Sequence, residues 1–290
     1  MNKIQNSELI INRDGSIYHL AIKPEDIADT IILVGDQGRV EVVSSFFDTI
    51  EIKKHNREFI THTGYYKGKR ISVISTGIGT DNIDIVINEL DALVNIDLEK
   101  RIPKEKHHTL KLIRLGTSGG LQENLPVDAL LLSEKVIGFD GMLNFYADIE
   151  PIIDLNFENA FTDYMAWNPR LAKPYVVSAS PSLVTLLEEK TNKGVTISAP
   201  GFFGPQGRKL RLNIHDPEIN EKITRFSYKR YKITNYEMES SALYGLSQML
   251  GHEAVTVCVI IANRVTKTYS KDYHPVVKRL IEYTLNKLTQ

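Results

Sequence analysis

LKLIRLGTSGG occupies residues 110–120. Its first half is apolar at nearly every position, the pattern of a β-strand covered on both faces. The strand run LKLIRLG (110–116) ends in a glycine-containing turn within RLGTSGG (114–120). Five further runs share the apolar character: TIILVG (30–35), ISVISTG (71–77), DALLLSEKV (128–136), PYVVSAS (174–180) and AVTVCVIIA (254–262). Between them lies helical spacing. Ile83, Val86, Ile87, Leu90 and Leu93 fall on one face, as do Met238, Ala242, Leu246 and Met249, which stop short of Gly251. A last helix over 275–288 opens with Pro275 and carries Val276, Leu280, Ile281 and Leu285. This alternation predicts an α/β fold, a three-layer sandwich with a central mixed, largely parallel sheet flanked by helices. No repeat or low-complexity linker interrupts it. Residues 1–290 therefore read as a single domain, with an N-terminal tail over about 1–16.

Composition narrows the function classes. Lys+Arg 35 against Asp+Glu 36 gives a net charge of -1, without the basic excess of a broad nucleic-acid surface. A few arginines still suffice for a small anion. No apolar stretch is long enough to cross a membrane, and MNKIQNSELI has no apolar leader core. With a single cysteine, Cys258, no intramolecular disulfide can form. The expectation is a cytoplasmic protein acting without nucleic acid or membrane. Two stretches break the alternation: the charged 95–109, read as a solvated excursion, and the aromatic-rich 139–173, a partner surface or a rim over the site.

Three strands lead into VGDQGRV (34–40), STGIGTDN (75–82) and RLGTSGG (114–120). Ligands collect at such strand ends, where glycines let backbone N–H groups approach an anion. Arg114 stands out as a charge within a strand expected to be buried. Two readings stand level: a structural ion pair with a carboxylate, or a bound anion. GIGTDN resembles a dinucleotide fingerprint, but Asn82 takes the place of its third glycine, so a dinucleotide-dependent oxidoreductase is a rival only. TNYEMES (234–240) adds a second puzzle. Thr234-x-x-Glu237 fits a capping box at a helix start. Glu239, about 200° further round a helix, has no part in such a cap.

Taken together, GDxxRV, HNREF (55–59), STGIG, RLGTSGG, PQGR (205–208), NYEMES and IANR (261–264) resemble the nucleoside phosphorylase-I family, most closely its uridine phosphorylases. The resemblance runs from about Tyr18 to the C-terminus. It implies reversible phosphorolysis of uridine to uracil and ribose 1-phosphate, with purine nucleoside phosphorylase or nucleosidase activity as the alternative within the family. Phosphate, the co-substrate, would be held by Gly35, Arg39, Arg57, Arg114 and Thr117. The ribose would meet His19, Met238 and Glu239, and the base Phe202, Gln206, Arg208 and Arg264. Of these, Arg114, Arg39 and Arg208 would carry the catalysis. His19 and Arg57 match residues that the family donates across a subunit boundary, so a homodimer would be the catalytic unit, with a hexamer as the larger alternative.

No cofactor or catalytic metal is implied. A structural monovalent cation near Glu58, Ile78 and Asn82 is the one open point, because Asp81-Asn82 replaces the Pro-Ser of some relatives. Asn263 stands where hexameric purine phosphorylases of the family place an aspartate that protonates the leaving purine.

Overall fold

The computed structural model describes residues 3–290. Its strands of four or more residues are β1 (Thr30–Val34), β2 (Thr49–Asn56), β3 (Phe59–Tyr66), β4 (Lys69–Ser75), β5 (Lys111–Gly120), β6 (Leu130–Gly138), β7 (Tyr175–Ser178), β8 (Asn192–Ser198), β9 (Tyr231–Glu237) and β10 (Glu253–Asn263). The helices are α1 (Gln37–Ser44), α2 (Thr80–Asn95), α3 (Leu155–Met165), α4 (Pro181–Leu187), α5 (Ile219–Arg225), α6 (Ser240–Met249) and α7 (His274–Leu288). These strands form one sheet in the order β9-β8-β6-β10-β5-β1-β4-β3-β2, with β7 beside β6. β1 runs parallel to β4 and β5, β5 to β10, and β8 to β6 and β9. β2 and β3 add an antiparallel edge to β4. The mixed, helix-flanked sheet expected from the alternation is therefore present.

The sheet also closes on itself. β9 pairs antiparallel with β5, setting Asn235 opposite Gly120 and Tyr236 opposite Gly119. β5, β10, β6, β8 and β9 thus make a ring, which a layered sandwich does not predict. Polar side chains are tied across four of its strands: Ser133 to Thr196 at 2.6 Å, Thr196 to Asn235 at 2.7 Å, and Asn235 to Ser118 at 3.1 Å. All four residues are buried, and their mutual hydrogen bonds offset the cost of burying them.

Three local expectations need correction. RLGTSGG is not a turn, because β5 continues through Gly120 in register with β10. TNYEMES does not open with a helix: Thr234 lies in β9 and donates its hydroxyl to the Val195 carbonyl at 2.9 Å. α6 begins at Ser240 and closes against Gly251, whose φ is 75°. The 139–173 stretch is chiefly a second core. Phe139, Phe157 and Phe161 are buried with Ile137, Phe226 and Tyr236, and Trp167 packs against them, whereas Phe145 is exposed.

The N-terminal segment is not a loose tail within the described residues. The Ile4 N–H donates to the Arg101 carbonyl at 2.8 Å, Arg101 donates to the Leu9 carbonyl, and Leu9 is buried. It packs on the charged excursion 95–109, most of whose side chains are exposed or half-buried. Residues 1 and 2 lie outside the described residues.

Candidate active site

The loops after β1 and β4 meet at their strand ends. A Cβ placed on Gly35 would lie 3.4 Å from the Gly77 carbonyl oxygen, so the backbones nearly touch. From the first loop Arg39, in the first turn of α1, reaches across to the Leu115 carbonyl of β5 at 3.2 Å. From the second, the Gly79 N–H donates to Glu239 Oε1 at 3.1 Å, with Gly79 at a φ of 100° that suits glycine. The three stretches singled out from sequence therefore converge on one place.

Arg114 lies at its centre, 4% exposed. Its Nη2 donates to Glu239 Oε2, and its Nη1 lies 3.5 Å from Glu237 Oε2. Two residues along the strand a side chain points to the same face, so the guanidinium folds over position 116. A Cβ there would sit 2.2 Å from Arg114 Nη1 and 3.0 Å from Cys258 Sγ, which explains Gly116. Burial opposes the Arg114 charge, but Glu239 and Glu237 outweigh it and hold its pKa above the ordinary arginine value. Burial likewise raises the Glu239 carboxyl, with Arg114 pulling the other way. Burial also pushes the Cys258 thiol up to about 12, so it stays protonated and is no nucleophile.

The ion-pair reading of Arg114 is thus realised, yet it leaves capacity for an anion. Arg114 Nε is buried without a hydrogen-bond partner. Arg39 has no carboxylate partner among the described residues; burial and the neighbouring Arg114 lower its pKa. The Thr117 hydroxyl is also without a partner among the described residues. Two cations and a hydroxyl next to a buried carboxylate can hold a dianion on one side and a hydroxylated ligand on the other.

Glu237 is the residue whose place in this site the sequence reading missed. Its carboxylate accepts the N–H groups of Glu239 at 3.1 Å and Ser240 at 3.0 Å, and the hydroxyls of Ser240 at 2.8 Å and Ser198. It therefore caps α6 from the end of β9, fixes the turn that presents Glu239, and faces Arg114 as well. The signal was present in the doubled carboxylate of NYEMES. Met238 lies between the two glutamates, half-buried, its N–H on Glu239 Oε2 at 3.2 Å.

A second cluster gathers Phe202, Gln206, Arg208 and Arg264. Gln206 is 2% exposed, and its Oε1 accepts from Arg208 Nη1 at 2.6 Å and Arg264 Nη2 at 2.9 Å. The acceptor half of the amide is thus occupied, leaving Nε2 as the group it can offer. The Arg208 guanidinium stacks 3.7 Å from the Phe202 ring centroid, and that of Arg264 lies 4.8 Å from the centroid of Tyr236. Burial, then the proximity of Arg208, brings Arg264 down to about 10. Asn263 is fully engaged: its Nδ2 donates to the Gln122 and Leu125 carbonyls, and its Oδ1 accepts from the Val265 and Thr266 N–H groups.

His19 and Arg57 stand elsewhere. His19 Nδ1 is 2.7 Å from Glu89 Oε1 on α2. Arg57, at the tip of the β2–β3 hairpin, places its guanidinium 5.5 Å from the centroid of the Tyr18 ring. Among the described residues, no hydrogen bond or ion pair joins either one to Arg39, Arg114 or Glu239. Near the same hairpin, Glu58 and Asn82 both crowd Gly77. Asn82 Nδ2 lies 3.4 Å from the Ile78 carbonyl oxygen.

A mixed sheet carrying a buried arginine–carboxylate cradle at its strand ends defines an α/β protein with the donors to hold an anion. The comparisons with known proteins sharpen that class. The model of the phosphorylase superfamily matches residues 29–284, and the chain belongs to that family. It is 31% identical to a uridine phosphorylase of Thermococcus kodakarensis, over 93% of this chain and 86% of that protein. A purine nucleoside phosphorylase of DeoD type from Listeria welshimeri is 24% identical over 83% of this chain and 85% of its own length. Among solved structures, a Trypanosoma brucei nucleoside phosphorylase that shows uridine phosphorylase activity superposes with a TM-score of 0.87. That pair is 32% identical and covers 97% of this chain and 99% of the other.

Proposed function

We propose that this chain, as a single domain, catalyses the reversible phosphorolysis of uridine to uracil and ribose 1-phosphate. The observation that carries the reading is the buried Arg114–Glu239 pair with Arg39 beside it, the latter lacking a carboxylate partner among the described residues. Phosphate lies on Arg39, Arg114, the Gly35 backbone and Thr117, and Arg57 of a second copy completes the cradle. The vicinal hydroxyls of ribose donate to Glu239, Met238 packs against the sugar, and His19 of the second copy takes the 5′-hydroxyl. A homodimer in the cytoplasm is the corresponding working form, with no cofactor beyond phosphate as co-substrate.

As the bond from C1′ to N1 stretches, its electron pair moves onto uracil and C1′ becomes cationic. A phosphate oxygen below the ring stabilises that cation and closes the new C1′–O bond. Arg208, Arg264 and the Nε2 of Gln206 face the base, where negative charge develops; such preorganised donors are worth on the order of 3 kcal/mol each. Holding phosphate and sugar in line supplies further acceleration. A purine substrate would need an acid at N7, and Asn263 is an amide with all of its hydrogen-bonding capacity engaged.

The test is incubation with uridine, deoxyuridine, cytidine, adenosine and inosine, with and without phosphate, followed by product identification. Uridine with phosphate should give uracil and ribose 1-phosphate, with deoxyuridine slower and the others near background. Preferential turnover of inosine or adenosine would overturn the pyrimidine reading.

A further inference from the structure

Beyond Arg208, away from the Arg114–Glu239 cradle, lies a cavity of about 1130 Å³ between the 139–173 stretch and the segment over 200–222. Neither Arg39, Arg114, Glu239 nor Gln206 lines it. Its walls are largely apolar, with Phe139, Met165 and Trp167 from the first stretch and Phe203, Leu210 and Leu212 from the second. Leu210 is 71% exposed and Leu212 84%, so the segment holds two leucines against open space. A ligand body lying on them would bury apolar surface that otherwise faces water.

The charges around this cavity are not balanced. Both of its acids are occupied within the protein. Asp140 accepts from the Tyr175 and Ser241 hydroxyls at 2.7 Å each and from the Met142 N–H at 2.8 Å. Asp216 pairs with Lys222 at 2.7 Å and accepts the Glu218 N–H at 3.0 Å. The arginines are different. Among the described residues, the Arg170 and Arg211 guanidiniums have neither a hydrogen bond nor an ion pair, and Arg208 uses only Nη1, on Gln206 Oε1 and the Phe202 carbonyl. Apolar walls with unengaged guanidiniums among their lining residues suit a ligand with an apolar body and an anionic head.

We propose that this cavity binds an anionic aromatic or amphiphilic small molecule, at a site separate from the phosphate and ribose cradle. Arg208 is the contact between the two, since it lines the cavity and also holds Gln206. The proposal does not depend on the phosphorolysis reading, because its readout is fluorescence rather than turnover.

Trp167 is the only tryptophan in the chain and lies in the cavity wall, so it reports occupancy directly. The probe is 8-anilinonaphthalene-1-sulfonate, with the uncharged N-phenyl-1-naphthylamine as its control. Energy transfer from Trp167 to the sulfonate is expected, with binding at least ~10-fold tighter than for the uncharged probe, a difference of about 1.4 kcal/mol. Arg170→Glu combined with Arg211→Glu reverses two exposed charges and should erase that preference while leaving the uncharged probe unaffected. Saturating uracil should shift the sulfonate's apparent Kd to a plateau at most. Absence of energy transfer, equal affinity for the two probes, or a preference that survives charge reversal would overturn the proposal. So would an apparent Kd that rises without limit as uracil is added, which would make the cavity the base site itself.

Discussion

Arg114→Met keeps most of the side-chain volume and removes the charge. The guanidinium it deletes is 4% exposed and lies against two carboxylates, Glu237 and Glu239, each also 4% exposed. Breaking a buried pair by removing one partner costs about 3–5 kcal/mol, because the other charge stays buried without compensation. That is a large share of the roughly 5–15 kcal/mol that holds a domain folded. An arginine waiting only for an external anion could be removed at far smaller cost, so the experiment separates the two readings of Arg114 that the sequence left level.

The loss should depend on pH in a defined direction. Burial already raises the Glu239 carboxyl, and Arg114 is what draws it back. Without Arg114 it rises further, so the folded variant binds a proton that the unfolded chain releases near pH ~4.3. Stability linked to such a raised carboxyl is fully present below the unfolded value and lost as pH rises through the folded one. The deficit of the variant should therefore be full near neutrality and shrink on acidification. Urea unfolding of the parent and variant at neutral and mildly acidic pH measures it. A deficit under ~1 kcal/mol at neutral pH, or one that grows as pH falls, would refute the reasoning.

Further outcomes follow from the same site. Base release from uridine should stop when phosphate is omitted, and Arg39→Ala should raise the KM for phosphate; continued release in phosphate-free buffer would indicate hydrolysis. Arg57→Ala and Glu239→Gln proteins, each inactive alone, should recover part of the activity when co-assembled, whereas mixed oligomers without recovery would place both residues in one subunit. Asn263→Asp should not create inosine turnover. It should lower stability by about 1–3 kcal/mol, since a carboxylate cannot donate to the Gln122 and Leu125 carbonyls, and thermal unfolding beside an inosine assay checks both halves.

What was legible in the sequence follows from how each element is buried. β1, β4, β5 and β10 are apolar on both faces and announce themselves as runs of Ile, Leu and Val. β2, TIEIKKHN, is exposed or half-buried along its length, and β8, NKGVTIS, carries small and polar residues, so neither gives an apolar run. The end of β9 resembles a helix start because Thr234 and Glu237 have capping-box spacing; only tertiary contact shows that Thr234 bonds a neighbouring strand instead.

The site was legible as motifs. Its internal pairing was not, since nothing local determines whether Arg114 meets Glu237, Glu239 or a ligand. Nor does anything local in PQGR show that the acceptor half of Gln206 is taken by Arg208 and Arg264. The cavity beyond Arg208 joins segments distant in the chain and has no linear signature.

The pairing of β9 with β5 has a consequence for how the protein opens. A sheet with two free margins can lose strands from its edges inward, each at its own local free energy. In a ring of five strands, no member can leave without breaking two ladders at once. Arg114 is carried by one of the two strands at the seam, and Glu237 by the other. Amide protons of β5 and β9 should therefore exchange at one shared, slow rate, while those of β2 at the outer margin exchange faster. The cradle would then be among the last parts of the molecule to come apart, held by the backbone around it even before its own ion pairs are counted.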